Sequence, residues 1–246
     1  MKRLALFLTL VPSLALADAK GQEWLGKVDK MMNNFSDGVF ESKLLVKSPD
    51  GSSREYGFTT YQKGADKRLV RFNSPGDVKG MGILIESKDT MYVFLPGMQR
   101  VRRMGTHVQS QQFMGSDFSS DDMSQTMFAP FYDATVTNED PKSVTLELKQ
   151  KGGEKLEFGR IVMTIDKQMS APTKMDYYDS TGKLAKTQLR EDYKKDGGRE
   201  YFTPGKVIVI DHRRNDHTSE IDFTSFKLNS GLADDVFTQR SLIRGQ

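Results

Sequence analysis

Phe40-Glu41-Ser42-Lys43-Leu44-Leu45-Val46-Lys47-Ser48 and Ser53-Arg54-Glu55-Tyr56-Gly57-Phe58-Thr59-Thr60-Tyr61 stand on either side of Pro49-Asp50-Gly51-Ser52. The flanks tend to a period of two and are rich in aliphatic, aromatic and β-branched residues. The four residues between them are turn formers, so the stretch predicts a β-hairpin. The same habit runs outward in both directions. Residues 67–72, 82–86 and 90–95 read as three further strands. In the second half, 143–150 and 156–166 flank Gly152-Gly153, 173–179 and 183–193 flank Asp179-Ser180-Thr181-Gly182, and 206–213 and 218–228 flank Arg214-Asn215-Asp216. We expect about 10–11 strands in an antiparallel meander, mainly β, with no linker and no fixed-period repeat to divide a single domain over 18–246. Lys206-Val207-Ile208-Val209-Ile210 carries apolar side chains on both faces and so needs cover on each side. An open half-barrel, a sheet curled around α-helices, provides that cover and limits exposed edges.

The helix to be wrapped precedes the first strand. Trp24, Val28, Met31, Met32 and Phe35 are spaced so that a helix over 22–35 presents them on one face. Further upstream, Lys2 and Arg3 head an apolar stretch of 13 residues, 4–16, followed by Ala15-Leu16-Ala17. This is the pattern of a secretory signal peptide, residues 1–17, cut after Ala17. The stretch is shorter than the roughly 18 apolar residues of a membrane helix. With no cysteine in the chain, no lipid can be attached at the cut by the lipoprotein route. The expectation is a soluble periplasmic protein. Without 1–17 the chain has 34 Lys and Arg against 33 Asp and Glu, too even a balance to suggest a nucleic acid or anionic-membrane partner.

Seven of the 13 methionines lie between positions 81 and 127, among Phe94, Phe113, Phe118 and Phe128. Methionine suits both irregular cores and surfaces that accept apolar partners of varied shape, and the residues leave both readings open. Residues 105–120 have neither helix nor strand period and read as a long loop. Ser119 or Ser120 can cap a short helix through about Phe128, with Asp121 and Asp122 in its first turn. Catalytic chemistry is sparse. The chain has three histidines, His107, His212 and His217, and the run Asp211 to His217 matches a hairpin turn better than a metal loop. No nucleophile and base converge, so no enzyme, no metal and no cofactor are expected. Arg100, Arg102 and Arg103 stand at the edge of the Met-rich loop. On a strand Arg100 and Arg102 share one face, which is either solvated, or holds Asp117 or Asp121 as a latch, or docks on a partner.

Asn73-Ser74-Pro75-Gly76-Asp77-Val78-Lys79-Gly80, Leu95-Pro96-Gly97-Met98-Gln99-Arg100-Val101-Arg102-Arg103, Phe113-Met114-Gly115-Ser116-Asp117-Phe118 and Phe237-Thr238-Gln239-Arg240-Ser241-Leu242 together resemble the outer-membrane lipoprotein-sorting-like (LolA-like) family, of the type encoded beside RND or MMPL-type lipid exporters. The resemblance spans nearly all of the chain after residue 17. It implies a half-barrel around helices with an apolar cavity for lipid or lipoprotein acyl chains, carried between an RND/MMPL-type inner-membrane transporter and the outer membrane by a monomer. A scaffold or sensor subunit that binds a protein on the same concave sheet is the alternative. For the cavity we assign Met31, Met32, Phe35, Phe94, Met98, Met104, Phe113, Met114, Phe118, Met123 and Met127; for a lid or partner contact, Arg100, Arg102, Arg103 and Asp117.

Overall fold

In the computed structural model the structure describes residues 18–48, 50–87, 90–105, 112–119, 122, 126–153, 156–195 and 202–244. The signal-peptide reading of 1–17 therefore lies outside the described residues. Helix α1 spans Ala19–Met32, three residues earlier than the apolar stripe alone suggests. Its start is set by Asp18, whose carboxylate accepts from the Gly21 amide and, at 2.8 Å, from Val136 on the sheet. The cap thus also fixes where the helix lies. Gly21 permits this approach, since a Cβ there would sit 2.4 Å from the carbonyl oxygen of Ala134. The helix ends at Asn33, which leaves Phe35 in the connection beyond it.

The strands are β1 (Asp37–Lys47), β2 (Ser53–Lys63), β3 (Lys67–Ser74), β4 (Gly82–Ser87), β5 (Thr90–Leu95), β6 (Arg100–Met104), β7 (Tyr132–Glu139), β8 (Ser143–Gln150), β9 (Arg160–Asp166), β10 (Ala171–Tyr178), β11 (Leu184–Glu191), β12 (Lys194–Lys195), β13 (Phe202–Thr203), β14 (Lys206–Asp211) and β15 (His217–Leu228). Among the described residues, 13 of them form one curled antiparallel sheet, in the order β6-β5-β4-β3-β2-β1-β15-β14-β11-β10-β9-β8-β7, while β12 and β13 form a separate ribbon. Each expected hairpin is present. The additional strands are β6, rich in arginine, β7, which runs into polar residues, and the ribbon.

The sheet is two meanders joined by the pairing of β1 with β15, from Gly38 opposite Leu228 to Lys47 opposite Thr218. It remains open, with β6 and β7 as its edges. On the concave side, α1 covers the β7–β11 half, where Leu25 and Val28 pack with Tyr132, Leu146, Ile161, Met163 and Met175. The β1–β6 half is filled instead by the segment crossing from β6 to β7, through Phe113, Met114 and Phe118. A third cluster lies on the convex side. There Val236, Phe237 and Leu242, from a 3-10 turn at Asp234–Phe237 and helix α2 (Gln239–Arg244), cover Leu69, Leu84 and Phe94. Gly82 makes room for this cover, because a Cβ there would lie 2.6 Å from Leu242 Cδ1. The doubly covered strands are thus β3 and β4. β14, which the sequence offered as the example, buries Val207, Val209 and Asp211 while Ile208 and Ile210 are only half-buried.

Candidate functional site: a cavity on the concave face

The middle of the concave sheet is not completely filled. Between α1, the crossing segment and the ribbon lies an open-mouthed cavity of about 1050 Å³, its mouth included. Its floor follows strand alternation. Phe40 comes from β1, Phe58 from β2, Val70 from β3, Val207 from β14, and Ile221 and Phe223 from β15. The end of α1 and the turn after it supply Met31, Met32 and Phe35 as the wall above. Phe35 meets Phe40 edge to face at 5.9 Å.

Polar groups gather at the flanks of this apolar floor. On β3 and β2, Arg68 Nε donates to Gln62 Oε1 at 3.1 Å; on β11, Arg190 Nε donates to Gln188 Oε1 at 2.9 Å. The two arginines lie five strand spacings apart in the sheet order, about 24 Å along its curve at roughly 4.8 Å per strand. Tyr193 stands beside Arg190 and donates to the Pro172 carbonyl at 2.6 Å. Burial pushes its hydroxyl up to about 12, against the opposing pull of Arg190, so it stays a neutral donor.

Acidic side chains hold the crossing segment in place. Residues 112–119 form a tight turn, closed by Phe113 N–H to the Phe118 carbonyl at 2.8 Å and turned through positive φ at Met114 and Gly115. Asp117, 4% exposed, accepts from Arg214 at 2.7 Å and from Ser219 Oγ at 2.7 Å, and contacts His217 Nδ1 at 2.7 Å. Asp122 meets Lys186 Nζ at 2.5 Å, and that buried ammonium also lies over the rings of Phe158 and Tyr177. Ser119 Oγ accepts from the Asp122 amide while Asp122 accepts from the Ser119 amide, the reciprocal bonds of a capped helical turn. Farther along, Asp29 of α1 accepts from the amides of Phe128 and Ala129. Burial raises the Asp29 carboxyl above its ordinary value despite those bonds. Burial likewise raises Glu157, with Lys186 pulling it down and Asp122 pushing it up.

Of the residues assigned to the cavity from sequence, Met31, Met32, Phe35 and Phe118 line it. Met104, Phe113 and Met114 pack in the adjoining core under the crossing segment rather than on the cavity wall. Phe94 is on the convex face with Val236 and Leu242, because β5 turns alternate residues to opposite sides. Met98, at the β5–β6 turn, and Met127 are exposed. Met123 lies outside the described residues, as does Asp121. The expected helix does not reach Phe128, since residues 126–128 are non-helical. Nor do Arg100 and Arg102 grip Asp117. They sit on the exposed edge strand β6, with Arg103 on its other face, and Arg214 takes the carboxylate instead. Phe40, Phe58, Val70, Val207, Ile221, Phe223 and Arg190 were missed by the sequence reading. Projecting the period-two pattern of β1, β2 and β15 onto one face would have found the aromatic and aliphatic members. Asp211 to His217 forms the β14–β15 turn, with left-handed Asn215 and Asp216. Among the described residues no three His, Cys, Asp or Glu side chains are placed to hold a metal.

A family model described as "Uncharacterized protein" matches residues 64–244, most of the chain. The chain belongs to this family. No curated protein sequence matches it. Among solved structures, this family member is similar to a DUF1329 family protein from Desulfovibrio piger, 25% identical, with a TM-score of 0.84 over 93% of this chain and 100% of that one. It is similar also to an outer membrane lipoprotein-sorting protein domain from Vibrio parahaemolyticus, at 23% identity and a TM-score of 0.82 over 92% and 99% of the two chains. A LolA superfamily protein from Nitrosomonas europaea follows at 20% and 0.74, over 90% and 98%. The fold of this family member is therefore LolA-like, as the sequence resemblance implied.

Proposed function

We propose that this protein is a periplasmic carrier that shelters acyl chains of a lipid or lipoprotein in the concave cavity. The single observation that carries the reading is the unfilled apolar floor of Phe40, Phe58, Val70, Val207, Ile221 and Phe223, roofed by Met31, Met32 and Phe35. A sheet that only needed a core would fill that space with its own side chains, as the neighbouring halves do. Each methylene buried there contributes about 0.8 kcal/mol, so about ten contribute on the order of 8 kcal/mol before ordering costs. The fold likeness to a lipoprotein-sorting protein domain supports the same reading. Among the described residues no helix is long and apolar enough to cross a membrane. In this proposal the protein works as a monomer, exported by residues 1–17, and passes cargo between an RND/MMPL-type inner-membrane transporter and the outer membrane. Release then depends on handover to a second apolar site.

The test is mass spectrometry of lipids extracted from protein purified without detergent, together with titration of a fluorescent fatty acyl probe. One probe per chain should bind. Phe223→Asp and Phe35→Asp should each weaken binding by placing a charge in the cavity while the circular dichroism spectrum is unchanged. Absence of both co-purifying lipid and probe binding would refute the carrier and favour a scaffold that holds a protein partner on the concave sheet.

A further inference from the structure

Among the described residues the cavity wall carries two cations, Arg68 on β3 and Arg190 on β11, and one acid, Asp122, and the other cations around it have partners of their own. Lys186 is committed to Asp122, Arg214 to Asp117, and Arg213 to Asp211 and Glu157. Arg71, buried under α2 on the convex side, donates to the Ser241 carbonyl. Arg190 differs from all of these. Its neighbours are Gln188, Tyr193 and the Met32 sulfur at 3.8 Å, and among the described residues no carboxylate lies within ion-pair distance of it. The acid in the cavity wall, Asp122, is already held by Lys186.

The surroundings of Arg190 orient it. Gln188, two residues earlier on the same face of β11, engages Nε, and Met32 on α1 lies against Nη1. The terminal edge of the guanidinium is thereby held at the cavity wall beside Tyr193. Across the sheet, Arg190 pairs in register with Val207, Val207 with Ile221, and Ile221 with Leu44. A fixed cation therefore stands at one end of a row of aliphatic side chains. A planar guanidinium whose donors meet only neutral partners matches the two oxygens of a carboxylate or phosphate. In a partly water-excluded cavity that match is worth more than on an open surface.

Resting on the acyl-binding reading above, we infer that the occupant is an amphiphile with an anionic head, carboxylate or phosphate, seated at Arg190, and an acyl chain laid along Val207, Ile221 and Phe223. The experiment compares cis-parinaric acid with its methyl ester by polyene fluorescence. The wild type should bind the acid about ten- to hundredfold more tightly than the ester, as expected for a hydrogen bond to a charged group. Arg190→Gln should abolish this preference by weakening the acid far more than the ester, and Arg190→Lys should keep part of it. Monododecyl phosphate should displace the bound acid, and inorganic phosphate at the same concentration should not. Equal binding of acid and ester by the wild type would overturn the anionic head while leaving the carrier intact. Failure of both to bind would overturn the carrier itself. A preference that survives in Arg190→Gln would remove Arg190 from the assignment, and displacement by inorganic phosphate would mean a simple anion site.

Discussion

Replacing Lys186 by Met tests how the crossing segment is held. Lys186 is 1% exposed and its ammonium meets Asp122 at 2.5 Å, with both side chains almost wholly out of water. Met matches the stem of lysine in volume and packs against Phe158 and Tyr177 without leaving a cavity, so the loss is nearly all electrostatic. Removing one partner of a buried pair costs about 3–5 kcal/mol, because the other charge stays buried without compensation. With a urea slope of about 3 kcal/mol per M, the unfolding midpoint falls by roughly 1–1.7 M. The variant also removes the pull that Lys186 exerts on Glu157, whose carboxyl burial already raises. A carboxyl raised in the folded state binds protons more tightly than in the unfolded chain, so stability returns as pH falls through the folded value. The deficit of the variant is then largest at neutral pH and shrinks on acidification. Adding Asp122→Asn to Lys186→Met should recover about 1–3 kcal/mol relative to the sum of the single changes. Urea melts of the four proteins at pH 7 and pH 5 measure all of this. A midpoint shift below about 0.3 M for Lys186→Met, or strict additivity in the cycle, would refute the reasoning.

Asp29→Asn should cost about 1–3 kcal/mol at neutral pH through its bonds to the amides of Phe128 and Ala129. Because burial raises the Asp29 carboxyl, the wild type should gain on this variant as pH is lowered through that value, and a gap that narrows in thermal melts would count against it. Gly82→Val should destabilise by about 1–3 kcal/mol by pushing Leu242 and α2 off the convex face, read from urea melts and from hydrogen exchange in α2. Arg71→Met should change stability by less than about 1 kcal/mol, since the buried guanidinium leaves Nε without a partner and gains only the Ser241 carbonyl. Arg100→Ala combined with Arg102→Ala should leave hydrogen exchange in 112–119 unchanged, whereas Arg214→Ala should raise it.

The repeated hairpins were legible because their information is local. Turn residues and period-two flanks mark 143–150 residue for residue, and they mark the β1–β2 turn. The stripe of α1 was equally plain, although its first residues are set by the Asp18 cap and the β7 contact rather than by apolar spacing. β6 was overlooked for a physical reason: Arg100-Val101-Arg102-Arg103-Met104 has little intrinsic strand signal and becomes a strand by pairing with β5. β7 was legible, since Tyr132, Ala134 and Val136 alternate along it with Thr135 and Thr137 between them.

The sequence by itself determined that the chain would be an antiparallel sheet curled around a helix, because backbone pairing and burial follow patterns only a few residues long. Tertiary structure decided which side of each strand would face the cavity. β5 is apolar on both faces, and only the arrival of Val236 and Leu242 from the far end of the chain turns Phe94 outward. It also decided which cation would meet Asp117. Arg100 and Arg102 were the near candidates, but the β14–β15 turn brings Arg214 across a separation of 97 residues, and a buried carboxylate takes the partner that the fold places within hydrogen-bond reach.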